Sequence, residues 1–261
     1  MSDAALTVHI LHTNDFHSRL TEQGVARLRQ AIADLNGAPY LLLDAGDAVK
    51  AGNIGVNPFG EPILTTMSEL GYHAMTMGNR EFHVWRAALS AKINRARFPV
   101  LCANVYAKSP EATGDGLPVR SHVLLPVGGL TIGIFGLTVP MVTPKMRAAA
   151  LSQFLFDDPI AAAKRQVLEL RYKADLLIAL THIGLTQDRR LAESVSGIDL
   201  IIGGHSHHSL TAPEVVSETP IVQTGAHAHS FGHCRMEFRR SGIRTEYALS
   251  ALQEKGAQKR K

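Results

Sequence analysis

The sequence predicts a layered α/β protein. Apolar runs of strand length recur along its 261 residues, segments of helical period fill the gaps between them, and polar clusters follow the strands at one end. Residues 8–13, which open on Val-His-Ile-Leu, form the first expected strand, and residues 23–35 the first helix. The Tyr-Leu-Leu-Leu run at 40–43 is a second strand, followed by a helix over 63–70. Short strands at 74–77 and 100–103 flank a helix at 84–95. The apolar run 131–137 and the leucine-rich runs 176–180 and 200–202 supply three more strands, separated by helices at 159–173 and 187–195. The stretch 221–249 reads as short strands joined by turns. Segments 51–61, 106–117 and 138–155 are rich in Gly, Pro, Asn or small residues and read as loops, where function concentrates.

The length fits one large domain, expected over 1–253, with no linker dividing it. Hydrophobic residues make up 45% and charged residues 19%, ordinary for a globular protein and wrong for a disordered or fibrous one. Most of the formal charge of +4 sits in the tail 254–261, where Lys255, Lys259, Arg260 and Lys261 face one Glu. That short basic end reads as a frayed, disordered terminus, so no nucleic-acid polymer is expected as a partner. Cys102 and Cys234 are too few for a disulfide framework. With no signal-like segment and no run of apolar residues long enough to span a bilayer, the expectation is a cytoplasmic protein that engages no membrane.

Polar clusters follow five of the expected strands. Asp15 and His17 come directly after the first, and an extended backbone sends residues i and i+2 to one side, where they can grip a cation. Asp47 follows the second in Asp44-Ala45-Gly46-Asp47, where the glycine lets the chain turn and present a carboxylate. Asn79 follows the third, His182 the strand 176–180, and His205 and His207 come behind a Gly-Gly turn after 200–202. Each alone has a plain alternative: a capping Asp beside a surface His, an acidic turn, a helix N-cap, a structural His. Jointly they gather where an α/β sheet collects a ligand. Oxygen and imidazole donors without thiolate suit Mn²⁺, Zn²⁺ or Fe.

From about residue 7 to 238 the chain resembles the calcineurin-like metallophosphoesterases, and within them the 5'-nucleotidase branch. The resemblance rests on His12-Thr13-Asn14-Asp15-Phe16-His17, Asp44-Ala45-Gly46-Asp47, Gly78-Asn79-Arg80-Glu81-Phe82, Thr181-His182 and Gly203-Gly204-His205-Ser206-His207, in that order. It implies a four-layer α/β/β/α sandwich and two divalent metal ions. Asp15, His17, Asp47 and His207 would hold one ion, and Asp47, Asn79, His182 and His205 the other. The implied activity is hydrolysis of a small phosphorylated metabolite, with nucleoside 5'-monophosphates and related nucleotides the leading class.

The third motif departs from the branch pattern Gly-Asn-His-Glu-Phe-Asp. Arg80 stands in place of the His and His83 in place of its Asp partner. Arginine cannot act as a general acid at neutral pH, but its planar fork binds phosphate oxygens. Three consequences stay open: an Arg80 clamp with His83 as proton donor, a substrate whose leaving group needs no acid, or impaired catalysis in a metal-binding regulatory module. Hydrolysis of a sulfur oxyanion ester, known in a related branch, is a further alternative. The resembled nucleotidases clamp the base in a C-terminal domain that follows the matched part. Substrate contacts here are expected from 51–61, from 138–155 or from a neighbouring subunit in a homo-oligomer. His208, His227, His229, His233, His12 and Asp44 are candidates for support behind the ligands.

Overall fold

The computed structural model describes residues 6–109, 117–239 and 242–253; the expected basic tail lies outside them. Two six-stranded sheets dominate. In the first, the parallel strands β1 (Leu6–Thr13), β2 (Tyr40–Asp44), β3 (Ala74–Thr76) and β4 (Val100–Leu101) follow one another. They are extended antiparallel by β13 (Ser230–Arg239) and β14 (Gly242–Ala251). In the second, β7 (Leu130–Thr138), β9 (Leu176–His182), β10 (Leu200–Gly203) and β12 (Thr219–Val222) are parallel. Its antiparallel edges are β6 (His122–Val127) and β11 (Glu214–Val216). A separate pair joins β5 (Val105–Ala107) to β8 (Phe154–Phe156).

Strand periodicity decides the layering, because alternate side chains leave opposite faces. Val8, Ile10, Leu41 and Leu43 on one sheet meet Ile132, Ile134, Ile178, Leu180 and Ile202 on the other in a shared core. The intervening Leu11 and Leu42 turn outward onto the layer of α1 (Glu22–Ala33), α2 (Pro62–Glu69) and α3 (Arg86–Ile93), through Leu28, Leu64, Met67 and Leu89. Leu177, Ala179 and Ile201 do the same toward α4 (Pro159–Leu170) and α5 (Leu185–Ser194). Central strands are therefore buried on both faces, which is why they read as continuous apolar runs. The expected α/β/β/α sandwich is the observed fold.

Helix starts follow local chemistry. Thr21 accepts from the Gly24 amide ahead of α1, and Asp158 accepts from the Ala161 amide at 2.9 Å, with Pro159 opening α4. Differences from expectation have local causes. The expected helix at 84–95 begins only at Arg86, because Trp85 is extended at φ −110°, ψ 135°. Within 221–249 the chain forms β12 and then the two long strands β13 and β14, a broad hairpin rather than several short strands. Strand β6 escaped the sequence reading because it is an edge strand carrying Pro126, a residue that edges tolerate. The loops at 106–117 and 138–155 each give residues to the β5–β8 pair, while 110–116 lies outside the described residues.

Candidate metal centre

Every ligand expected from the sequence lies at or just beyond the C-terminal end of a parallel strand, at the edge where the two sheets meet. Asp15 and His17 follow β1, Asp47 follows β2, Asn79 follows β3, His182 ends β9, and His205 and His207 follow β10. The loops holding them zip together through the backbone. The Asp15 amide donates to the Gly46 carbonyl at 2.9 Å, the His17 amide to Asp47 at 2.9 Å, and the Ser18 amide to Ala48 at 2.7 Å. Asp15, His17, Asp47, His205 and His207 all have positive φ, between 50° and 75°. Non-glycine residues adopt that region rarely, and such conformations cluster at functional sites. Close interleaving also explains Gly78, whose hydrogen occupies the place where a Cβ would collide with the Asp47 side chain.

Asp47 faces two ways. Its Oδ1 lies 3.4 Å from His182 Nε2 and its Oδ2 lies 3.5 Å from His17 Nε2. Asp15 is similar: Oδ2 accepts from the Asn14 amide group at 2.7 Å and from the His205 backbone at 2.9 Å. Its Oδ1 has no hydrogen-bond partner and faces His207 Nε2 at 3.2 Å and His17 Nε2 at 3.6 Å. Asn79 Oδ1 lies 3.3 Å from His182 Nε2 and 3.1 Å from His205 Nδ1, while its amide nitrogen donates to Asn53 Oδ1 at 3.0 Å.

Electrostatics matches this convergence. Burial pushes the Asp15 and Asp47 carboxyls upward, but His17 with His207 around Asp15, and His17 with His182 around Asp47, outweigh it and hold both below the ordinary carboxylate range. Burial depresses His182, yet Asp47 and Asp15 raise it to about 9. His182 Nδ1 is 2.7 Å from the Ala45 carbonyl, which fixes the ring so that Nε2 aims at Asp47 and Asn79. A proton held at Nε2 is what a cation would displace on binding. The orphaned, buried Asp15 Oδ1 and His17 Nε2 supply the test of fit, since buried polar atoms without partners are rare in folded proteins. Two groups of donor atoms mutually within 4.8 Å emerge: Asp15 with His17 and His207, and Asp15 with Asp47 and His182. The donor set fits divalent metal, with Asp15 belonging to both groups, whereas sequence reasoning placed only Asp47 at the junction.

The two expected catalytic residues fare differently. Arg80 sits beside the cluster: its amide donates to Asp47 Oδ1 at 2.8 Å, its Nε is 3.6 Å from Asp47 Oδ2, and its Nη1 donates to the Lys50 carbonyl at 3.1 Å. The structure does not join His83 to the ligands. It is 7% exposed, its Nδ1 accepts from the Trp85 amide at 3.0 Å, and its remaining hydrogen bond goes to the backbone of Ile54. Burial, with Lys92 nearby, lowers its pKa.

Three supports were not recognised in the sequence. Glu81, fully buried, accepts from the amides of Gly78, Asp47 and Val49 at 2.8, 3.0 and 3.1 Å and so ties the second and third motif loops together. Its only signal was its place beside Arg80. Lys92, on α3, is also fully buried and donates to backbone carbonyls of both the 51–61 loop and the third motif. Asn14 locks the first motif to Gly225 and Thr224. Of the suggested supports, Asp44 bonds Thr13 and the Gly46 amide. His227 packs edge-on against His17 and His207. His12 is buried under Tyr247 without a hydrogen bond.

Fold and site together define a layered α/β protein built around a cluster of metal-ligating residues at its strand ends. Residues 8–209 match the profile of the calcineurin-like phosphoesterases, and the chain belongs to that family, whose members use divalent metal ions. It is 32% identical over 271 aligned positions to the 5'-nucleotidase of Homo sapiens, covering 89% of this chain and 47% of that protein. It is 29% identical to the trifunctional nucleotide phosphoesterase protein YfkN of Bacillus subtilis, over 92% of this chain and 19% of that one. Among solved structures, the 5'-nucleotidase precursor of Thermus thermophilus superposes with a TM-score of 0.74 at 26% identity, covering 94% of this chain and 55% of the other. The chain spans about half the length of the human relative.

Proposed function

We propose that this chain is a dinuclear-metal phosphohydrolase that cleaves phosphate monoesters, with nucleoside 5'-monophosphates and related nucleotides as the leading substrate class. The observation that carries the reading is the two-sided Asp47, whose oxygens face His182 on one side and His17 on the other. Ions held by Asp15, His17, Asp47 and His207, and by Asp47, Asn79, His182 and His205, would supply Lewis acidity at the phosphoryl oxygens. The metals that suit these donors are Mn²⁺, Zn²⁺ or Fe.

The protein's own groups do the rest. Arg80, anchored between Asp47 and the Lys50 carbonyl, offers a guanidinium fork to the phosphoryl oxygens and offsets charge that grows in the transition state. A guanidinium does not protonate a leaving group. His83 is engaged by Trp85 and Ile54, so neither residue that departs from the branch pattern protonates the leaving group on this reading. Esters with acidic leaving groups should therefore react fastest. Similarity to two nucleotide phosphoesterases supports the nucleotide class.

The test is a panel of nucleoside 5'-monophosphates, sugar phosphates, phosphodiesters and aryl phosphates, assayed after chelation and after return of Mn²⁺, Zn²⁺ or Fe²⁺. Metal-restored hydrolysis of monoesters is the expected result. A protein loaded with two ions that turns over none of the panel would overturn the reading.

A further inference from the structure

Beside the ligand cluster lies a cavity of about 530 Å³, walled by His17 and His207 from the ligand set and by Arg19, Lys50 and Arg80. No Asp or Glu lines it. Ser18 and Lys50 also line a second cavity of about 690 Å³, formed by the 51–61 loop and the start of α2, with Leu20, Val56, Ile63 and Glu61 on its walls. Lys50 is the cation common to both spaces.

The three cations differ in what they already hold. Arg80 is committed to Asp47 and to the Lys50 carbonyl. Among the described residues, neither the Lys50 ammonium nor the Arg19 guanidinium has a hydrogen bond or an ion pair. The Lys50 backbone is nonetheless pinned: its amide donates to Glu61 Oε2 at 3.3 Å and its carbonyl accepts from Arg80. The chain thus fixes the root of a cationic side chain at the junction of two cavities. One phosphoryl group beside the ligands is matched by Arg80, which leaves two cations without a counter-charge.

We propose that Lys50 and Arg19 form a second anion subsite, for a phosphate or carboxylate carried by the leaving group, whose remaining body lodges in the cavity of the 51–61 loop. The substrate class is a phosphate monoester with a second anion on its leaving group and an apolar body. Glu61, nine-tenths or more buried on that wall, would accept a hydrogen bond from a hydroxyl or amine of the body. This assignment rests on the phosphohydrolase reading and deepens it. It also gives the 51–61 loop the substrate-contacting role expected from its composition.

Matched pairs separate the possibilities: adenosine 5'-monophosphate against adenosine 3',5'-bisphosphate, and phenyl phosphate against 2-carboxyphenyl phosphate. In the wild-type protein at least one member with a second anion should show kcat/KM roughly tenfold above its partner, the scale of one charge-assisted contact. Lys50→Ala should erase that preference through KM, and Lys50→Arg should keep it. A response in the first pair alone assigns a phosphate, and in the second alone a carboxylate. No preference in the wild type, or an equal loss on both members after Lys50→Ala, would overturn the subsite.

Calorimetric titration with inorganic pyrophosphate and inorganic phosphate keeps the subsite testable if no ester is turned over, an outcome that would count against the phosphohydrolase reading instead. Lys50→Ala should then weaken pyrophosphate about tenfold more than phosphate. Equal weakening would sink the proposal.

Discussion

The Lys92 ammonium lies 2.6 Å from the carbonyl oxygen of Arg80, and the same nitrogen donates to Gly52 at 2.8 Å and to Phe82 at 3.1 Å. One fully buried cation therefore fastens the third motif to the loop that lines the neighbouring cavity. Burial lowers its pKa to about 8, with Glu81, Glu61 and Asp47 opposing the shift. Replacing Lys92 by Met keeps the stem but removes the donor from all three carbonyls, of which that of Phe82 is in a buried pair. An orphaned buried acceptor costs roughly 1–3 kcal/mol, so Lys92→Met should lower unfolding free energy by about 2 kcal/mol and also reduce kcat/KM. Urea unfolding and steady-state kinetics check this. Unchanged values would show that the contacts are incidental.

Arg80 should act on the transition state. Arg80→Ala is expected to lower kcat/KM by about 10²-fold, the scale of one preorganised charge contact, with Arg80→Lys recovering only part because an ammonium lacks the fork. Nucleoside monophosphates, with alkoxide leaving groups, should be cleaved more slowly than aryl phosphates by the wild type if neither Arg80 nor His83 supplies the proton. Introducing Arg80→His should raise the nucleotide rate more than the aryl rate. Equal response of both substrate types would remove the leaving-group argument.

Acid should destabilise the fold through His12. It is fully buried, and burial, aided by His233, lowers its pKa to about 3 from 6.5. A depressed folded-state pKa means stability present above the unfolded value and lost as pH falls below about 6.5 toward 3, because the unfolded chain binds the proton first. Between pH 7 and pH 5 the loss from this residue should be about 2 kcal/mol. His12→Leu should show a smaller drop in Tm over that interval than the wild type. An identical drop would place the acid sensitivity elsewhere.

Much of this was legible in the sequence, for a physical reason. Strands buried on both faces, such as residues 176–182, must be continuously apolar, so the polar residue ending each run marks the sheet edge where a ligand site assembles. All of the motif residues expected as ligands gather there. What could not be read depends on three-dimensional return of the chain. The left-handed backbone at Asp15, His17 and Asp47 comes from loops pairing across the two motifs, which no single segment specifies. Motif position set His83 beside Arg80, but the extended backbone at Trp85 leaves its ring against Trp85 and Ile54. Lys92 looked like an ordinary helix lysine, because its carbonyl partners lie ten or more residues away. The β5–β8 pair brings together residues from two segments that each read as loops.

The central claim is a site for two ions sharing Asp47. Dialysis of metal-stripped protein against Mn²⁺ or Zn²⁺, followed by elemental analysis, tests it most directly, with Asp47→Asn beside the wild type. Two ions per wild-type chain and at most one in Asp47→Asn are the expected result, together with metal-restored monoester hydrolysis only in the former. A wild-type chain that binds fewer than one ion, or an Asp47→Asn variant that binds as many as the wild type, would contradict it.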